Sequence, residues 1–163
     1  MKRHTLALSL LVLMSSSVVA ADKFGGLKDM AKTQAGSYAA EKLNLPTAAP
    51  AGAKVYLISP KEGETITGPV KVVFGLSGAG VAPAGAKDYP NTGHHHLLID
   101  NPTVDYTVPL PATEQVKHFG GGQTETTLTL KPGTHTLQLV FADWKHQAFN
   151  PSLMSDKITI TVK

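Results

Sequence analysis

Hydrophobic and polar residues alternate with a period of two along much of the chain after about residue 54. Val70, Val72 and Phe74, for example, fall on one face of one such segment. This period is typical of half-buried β-strands. The segments that show it cover residues 55–59, 64–67, 70–76, 94–100, 104–108, 124–130, 134–144 and 158–162. Seven or eight short strands separated by turn residues predict an all-β, immunoglobulin-like antiparallel β-sandwich over residues 54–163.

The connections between the predicted strands differ in length. Lys131-Pro132-Gly133 separates two alternating segments, and its proline and glycine favour a tight turn. We therefore expect the flanking strands to form an antiparallel hairpin. Residues 78–93 and 109–123 are longer connections rich in glycine, alanine and proline. Loops of this length are often functional, although an irregular crossover between sheets needs the same residues.

The first twenty residues have the pattern of a secretory signal peptide. Lys2 and Arg3 precede an apolar run over 6–14, and small residues lead up to Ala20. The apolar run is much shorter than the ~20 residues that a membrane-spanning helix needs, and no later segment is long enough. The sequence predicts export to the periplasm or the exterior, with cleavage near Ala20 and no membrane span.

Residues 21–53 differ from the predicted sandwich. Apolar residues recur at steps of three and four over 22–45, which indicates a weakly amphipathic helix that either docks on the domain or serves as a tether. The segment 46–52, rich in proline and alanine, then has the composition of a linker. We predict a signal peptide over 1–20, a weakly helical segment and linker over 21–53, and one domain over 54–163.

Composition excludes several classes of function. The chain has no cysteine, so disulfides, thiolate ligands and a lipoprotein anchor are all excluded. The net charge of +3 falls by two, to +1, when Lys2 and Arg3 leave with the signal peptide. Arg3 is the only arginine, so the mature chain lacks the forked donor that dominates phosphate and guanine recognition. The sequence therefore argues against nucleic-acid binding.

Several distinctive blocks run through the predicted sandwich. They are Val55-Tyr-Leu-Ile-Ser-Pro60, Val81-Ala-Pro-Ala-Gly85, Asn91-Thr-Gly-His-His-His-Leu-Leu-Ile-Asp100, His118-Phe-Gly-Gly-Gly-Gln-Thr-Glu125, Pro132-Gly-Thr-His-Thr-Leu-Gln-Leu139 and Ala142-Asp-Trp-Lys-His146. Together they resemble the bacterial exported family catalogued as domain of unknown function 4399 (DUF4399), over residues 54–163. The resemblance implies a secreted β-sandwich and no particular reaction.

A histidine triplet is the strongest chemical signal in the sequence. Residues two apart on a strand project to the same face, ~7 Å apart along the chain, so His94 and His96 can converge on one ion while His95 points away. His118 is expected to supply a third nitrogen. Imidazoles without thiolates suit copper or zinc. An oxygen ligand, or a carboxylate that orients an imidazole, is expected from Glu125 or Asp143. The sequence therefore predicts a copper or zinc site.

The remaining histidines leave alternatives open. His95 is in phase with Leu97, and His135 is in phase with Leu137, so both are expected to face inward. There they either form a buried ligand pair or hydrogen-bond to backbone carbonyls as neutral imidazoles, and the second reading is favoured for His135. We take His95, His135 and His146 as additional candidate ligands, after His94, His96 and His118.

Three functions fit these features. The leading hypothesis is an exported metal-binding protein. The alternative is a noncatalytic interaction domain that presents the 78–93 and 109–123 loops to an envelope protein. A hydrolase that uses a metal-bound water needs an open coordination position as well. No Gly-x-Ser-x-Gly, cysteine nucleophile or His-Glu-x-x-His pattern supports an enzyme, and Gly120–Gly122 is not followed by the helix of a phosphate-binding loop.

Overall fold

Ten β-strands make up the domain. The computed structural model describes residues 46–87 and 89–163, so the predicted signal peptide (1–20) and helix (22–45) lie outside the described residues. The strands are β1 (Lys54–Ser59), β2 (Thr65–Ile66), β3 (Val70–Ser77), β4 (Gly80–Val81), β5 (Thr92–Ile99), β6 (Val116–His118), β7 (Glu125–Leu128), β8 (Gly133–Ala142), β9 (Ala148–Met154) and β10 (Ile158–Val162). No helix long and apolar enough to cross a membrane occurs among the described residues.

The strands form two sheets, which confirms the predicted all-β sandwich. One sheet has the order β1-β3-β7, and both of its pairings are antiparallel. The other has seven strands in the order β2-β10-β8-β5-β4, with β6 beside β5 and β9 beside β8. Alternate residues of β3 and β8 face the core between the sheets, where Val72, Phe74, Leu139 and Phe141 are buried. The period of two in the sequence therefore reflects one apolar face on each sheet.

Strand β5 lies inside the second sheet and is buried on both faces. Its residues from Gly93 to Ile99 are all buried, and it pairs with β8 along most of its length. One face looks into the core. The opposite face carries Leu98 and is covered by the 100–115 segment, through Val104, Tyr106 and Leu110. Side chains on this second face are therefore also shielded from water.

The predicted hairpin around Pro132 is wrong. β7 pairs with β3 in the first sheet, whereas β8 pairs with β10 and β5 in the second. The connection from β7 to β8 therefore passes from one sheet to the other. Proline and glycine favour a sharp change of direction, but they do not determine which neighbour the next strand pairs with.

Other local predictions also differ from the structure. Residues 104–108 form no strand; the Asp105 carboxylate accepts hydrogen bonds from the backbone N–H and the hydroxyl of Thr107, which stabilises a turn instead. Strand β4, which has only two residues, and strands β6 and β9 lie where no strand was predicted. β6 has only three residues, and β9 contains Pro151, so neither shows a clear period of two.

The first half of the segment predicted as a linker contacts strand β9 and the turn before it. Ala48 forms a parallel bridge with Asn150 of β9, and the Asn150 N–H donates to the Thr47 carbonyl over 2.9 Å. Ala49 packs against the hydrophobic core. Residues 47–49 are therefore attached to β9 and to the turn that precedes it.

Candidate metal centre

Strand β5 places His94 and His96 on its outer face and His95 on its core face. In the antiparallel pairing with β8, His94 lies opposite Ala142 and His96 lies opposite Val140. Both imidazoles of the outer face belong to fully buried residues, with no exposed surface. The prediction from strand parity, that the first and third members of the triplet share a face, matches this arrangement.

Strand β6 brings His118 to the same face. His118 is the register partner of His96, so the two side chains are neighbours across the strand pair. The centroid of the His118 ring lies 5.0 Å from those of both His94 and His96. His118 is the most exposed member of the group and therefore forms its solvent side.

A fourth imidazole reaches the group from the turn between β8 and β9. The centroid of the His146 ring lies 5.0 Å from that of His94, 4.7 Å from that of His118 and 6.3 Å from that of His96. We call His94, His96, His118 and His146 the imidazole cluster. Three separate elements of the chain contribute to it.

The geometry of three members suits a metal ion. One ring nitrogen from each of His94, His96 and His118 can be chosen so that all lie within 4.8 Å of one another. The Nε2 atoms of His94 and His96 are 3.1 Å apart. In a tetrahedral zinc site with Zn–N bonds of ~2.0 Å, neighbouring nitrogens lie about 3.3 Å apart. The strand-borne pair is thus nearly at ligand spacing. The exposed His118 ring would complete the set by approaching these two nitrogens from the solvent side.

The protonation state of the cluster also favours metal binding. Burial, together with the smaller effect of the neighbouring histidines, lowers the pKa of His94 to about 4 and that of His96 to about 3. Desolvation and the proximity of His146 lower the pKa of His118 as well. A metal ion binds the neutral imidazole, so these rings need to lose no proton at neutral pH.

Unsatisfied ring nitrogens accompany this arrangement. The Nδ1 atoms of His94 and His96 are buried and have no hydrogen-bond partner among the described residues. Between their Nε2 atoms, one ring must donate and the other accept when no ion is bound. A bound cation would accept a lone pair from both Nε2 atoms, so the cluster gains bonds that the protein alone does not provide.

The glycine run 120–122 has a role at this site that sequence reasoning missed. A Cβ atom added at Gly120 would overlap the imidazole of His118, which lies directly against the Gly120 backbone. Gly122 has a φ of 81°, in the left-handed region that glycine tolerates. The run therefore makes room for a histidine ring, and three glycines that begin two residues after a histidine are the signal that was available in the sequence.

The carboxylates predicted as oxygen ligands lie elsewhere. Glu125 forms an ion pair with Lys71 over 3.3 Å on the solvent side of the first sheet. Asp143 is buried, but its oxygens accept hydrogen bonds from the Thr47 hydroxyl and from the backbone N–H groups of Lys145 and Gln147. Asp143 therefore stabilises the turn that carries His146 and does not point to the imidazoles.

The structure brings neither His95 nor His135 into the cluster. His95 packs in the core against Phe74 and Phe141, at centroid distances of 5.1 and 5.0 Å. His135 lies near the other end of β8, where its Nε2 is 2.8 Å from the Lys131 carbonyl and its Nδ1 is 3.0 Å from the Asp100 carboxylate. The backbone carbonyl and the carboxylate raise the pKa of His135. The predicted backbone hydrogen bond of His135 is present, but the Asp100 carboxylate favours the charged imidazole over the neutral form that was predicted.

The fold and the cluster define a class: an all-β sandwich domain with four imidazoles grouped on the outer face of one sheet. Residues 72–163 match the family model described as a domain of unknown function, DUF4399. This match covers more than half of the chain, and the chain belongs to the DUF4399 family.

Other comparisons add little. No curated protein matches the chain. Among solved structures, the endo-β-1,4-mannanase from Thermotoga petrophila is similar over 68% of this chain, with 17% sequence identity and a TM-score of 0.39. The similar region spans 20% of the mannanase. A similarity of this size supports no conclusion about the activity of this chain.

Proposed function

We propose that this is an exported metal-binding protein that holds copper or zinc through His94, His96 and His118. The observation that carries the proposal is the convergence of ring nitrogens from three histidines within 4.8 Å, together with the 3.1 Å between the Nε2 atoms of the buried His94 and His96. Imidazole is a good ligand for both metals, and no carboxylate in the described cluster favours calcium or magnesium. The signal-peptide pattern at the N-terminus supports a location outside the cytoplasm.

Titration calorimetry with Cu(II) and Zn(II) tests this proposal. The protein without its predicted signal peptide is compared with the His94→Ala/His96→Ala double variant. His135→Gln is the matched control, because it removes a histidine of the same domain that lies outside the cluster. We expect stoichiometric binding by the parent and the control, and loss of binding in the double variant. Binding that is weak in all three proteins would contradict the proposal.

A second candidate function is a noncatalytic interaction domain. Tyr56, Ile58 and Val81 are exposed hydrophobic residues, and they line one open cleft of about 380 Å³ at the first sheet. An exposed apolar cluster is typical of a surface that binds another protein. An envelope protein that binds here would lose affinity in a Tyr56→Ser/Ile58→Ser variant and would not respond to His94→Ala. If the parent protein binds metal and the Tyr56→Ser/Ile58→Ser variant binds each partner with unchanged affinity, this candidate is contradicted.

A further inference from the structure

We infer that His146 is a fourth metal ligand and that the buried Asp143 carboxylate positions it, so that the site is closed by four imidazoles. The inference rests on the proposed metal-binding function and deepens it. The centroid of the His146 ring lies 5.0 Å from that of His94 and 4.7 Å from that of His118, as near as those two lie to each other, but 6.3 Å from that of His96. The ring nitrogens that lie within 4.8 Å of one another come from His94, His96 and His118, so His146 must move toward His96 to join them on one ion.

The backbone at His146 gives an independent reason to assign its side chain a function. Its φ is 68°, in the left-handed region that residues with a Cβ adopt at a cost of roughly 1–2 kcal/mol. Glycine or asparagine would fit this turn better. Because strained backbone tends to persist where a side chain has a task, the strain here is explained by the direction in which the imidazole must point.

Asp143 determines the shape of this turn. One carboxylate oxygen accepts from the N–H groups of Lys145 at 2.8 Å and Gln147 at 3.0 Å, on either side of His146. The other oxygen accepts from the Thr47 hydroxyl at 2.6 Å. The backbone N–H of His146 donates to the Asp143 carbonyl over 3.0 Å, and Leu110 N–H donates to the His146 carbonyl over 2.7 Å. Hydrogen bonds to Asp143, and one from Leu110, therefore stabilise the turn from which the imidazole projects.

Four imidazoles have a chemical consequence that three do not. Three protein ligands and one open position are typical of zinc sites that activate water, whereas four protein ligands close a tetrahedral shell. On a tetrahedral zinc ion with His146 bound, no position is left for a metal-bound hydroxide. The closed set indicates that the protein carries or stores the ion and does not hydrolyse a substrate with it.

The test uses His146→Asn, because asparagine tolerates the left-handed region and lacks the imidazole. Asn101→Gly is the matched control: it changes another left-handed residue, with a φ of 51°, outside the cluster. Copper affinity is measured by competition with a chelator, and the number of coordinated nitrogens by electron paramagnetic resonance of the Cu(II) form. The absorption intensity of the Co(II) form reports four-coordinate geometry. Denaturation of the metal-free proteins measures stability separately.

We expect His146→Asn to lower copper affinity at least tenfold, to remove one nitrogen from the Cu(II) spectrum and to leave metal-free stability nearly unchanged, while Asn101→Gly binds as the parent does. Unchanged affinity and an unchanged spectrum in His146→Asn would overturn the fourth ligand and leave the three-histidine proposal standing. Absence of tight binding by the parent would instead overturn the proposed function and the present inference together.

The positioning role of Asp143 is tested by a double-mutant cycle. Asp143→Asn should lower copper affinity in the parent, yet have no further effect in the His146→Asn background, because Asp143 acts through His146. Equal losses in both backgrounds would show that Asp143 supports the fold generally and would refute the positioning role.

Discussion

The metal-free domain should lose stability steeply in mild acid. His94, His95 and His96 are buried, and burial lowers their pKa values from 6.5 to about 4, 4 and 3. Below pH 6.5 the unfolded chain takes up protons on these three residues that the folded domain does not, so the free energy of unfolding falls as the pH falls. Between pH 6.5 and its pKa in the folded domain, each residue lowers the free energy of unfolding by about 1.4 kcal/mol for every unit by which the pH falls.

At pH 5.5 the three residues together remove about 4 kcal/mol relative to pH 7.5. Small domains are stable by only about 5–15 kcal/mol, so this loss is large. The pH is still above the range in which most carboxylates titrate. Guanidinium denaturation of chelator-treated protein at the two pH values measures the difference. A bound ion should reduce the loss, because it binds the folded form.

The His95→Phe variant tests whether the buried histidines cause this pH dependence of stability. His95→Phe replaces a ring that packs between Phe74 and Phe141 with one of similar size that cannot be protonated. We expect the stability difference between pH 7.5 and pH 5.5 to shrink by about 1.4 kcal/mol in this variant, because the contribution of His95 is gone. A stability difference below about 1 kcal/mol between pH 7.5 and 5.5 in the parent would refute the reasoning.

Three further predictions follow from individual residues. Gly120→Ala forces the His118 ring away from the cluster. Calorimetry should therefore show metal affinity reduced at least tenfold, while the denaturation midpoint changes little. Unchanged affinity would show that His118 is not a ligand. Asp143→Ala leaves the Thr47 hydroxyl and two backbone N–H groups without their acceptor and should cost about 2–4 kcal/mol in denaturant unfolding; a loss below about 1 kcal/mol would contradict the role assigned to this carboxylate. His135 has a raised pKa in the folded domain, so its contribution to stability is full below pH 6.5 and is lost as the pH rises through the folded value; His135→Gln should therefore destabilise more at pH 5.5 than at pH 8, and an equal effect at both would refute the Asp100 pairing.

The positions of His94 and His96, the two ligands on strand β5, could be predicted from the sequence. Alternation over Val70 to Leu76 and Ile158 to Val162 predicted the strands correctly, because each has one apolar face. The same period of two separates His94 and His96 from His95. These inferences are local, and they depend only on the geometry of a single strand.

The other half of the site depends on contacts that are distant in sequence. His118 meets His96 because the three residues of β6 pair with β5, and so short a strand has no readable period. His146 meets His94 through a left-handed turn that Asp143 and Thr47 stabilise across 96 residues of chain. The wrong hairpin at Pro132 has the same origin: turn residues determine local geometry, whereas sheet partners are selected by packing of the whole domain.

The buried histidines are better explained by a ligand than by stability. On the outer face of β5, Leu98 packs in an apolar cluster with Leu110 and Val140, and apolar side chains at 94 and 96 would leave no buried nitrogen without a partner. Imidazoles at these two positions leave two buried Nδ1 atoms without partners, at a cost of roughly 1–3 kcal/mol each. Folding alone gains nothing from this substitution. A cation held between the Nε2 atoms would gain coordinate bonds from these side chains, and the β5–β8 register fixes the two strand positions that carry them. The cost in stability is therefore understood if the domain has been selected for its bound ion.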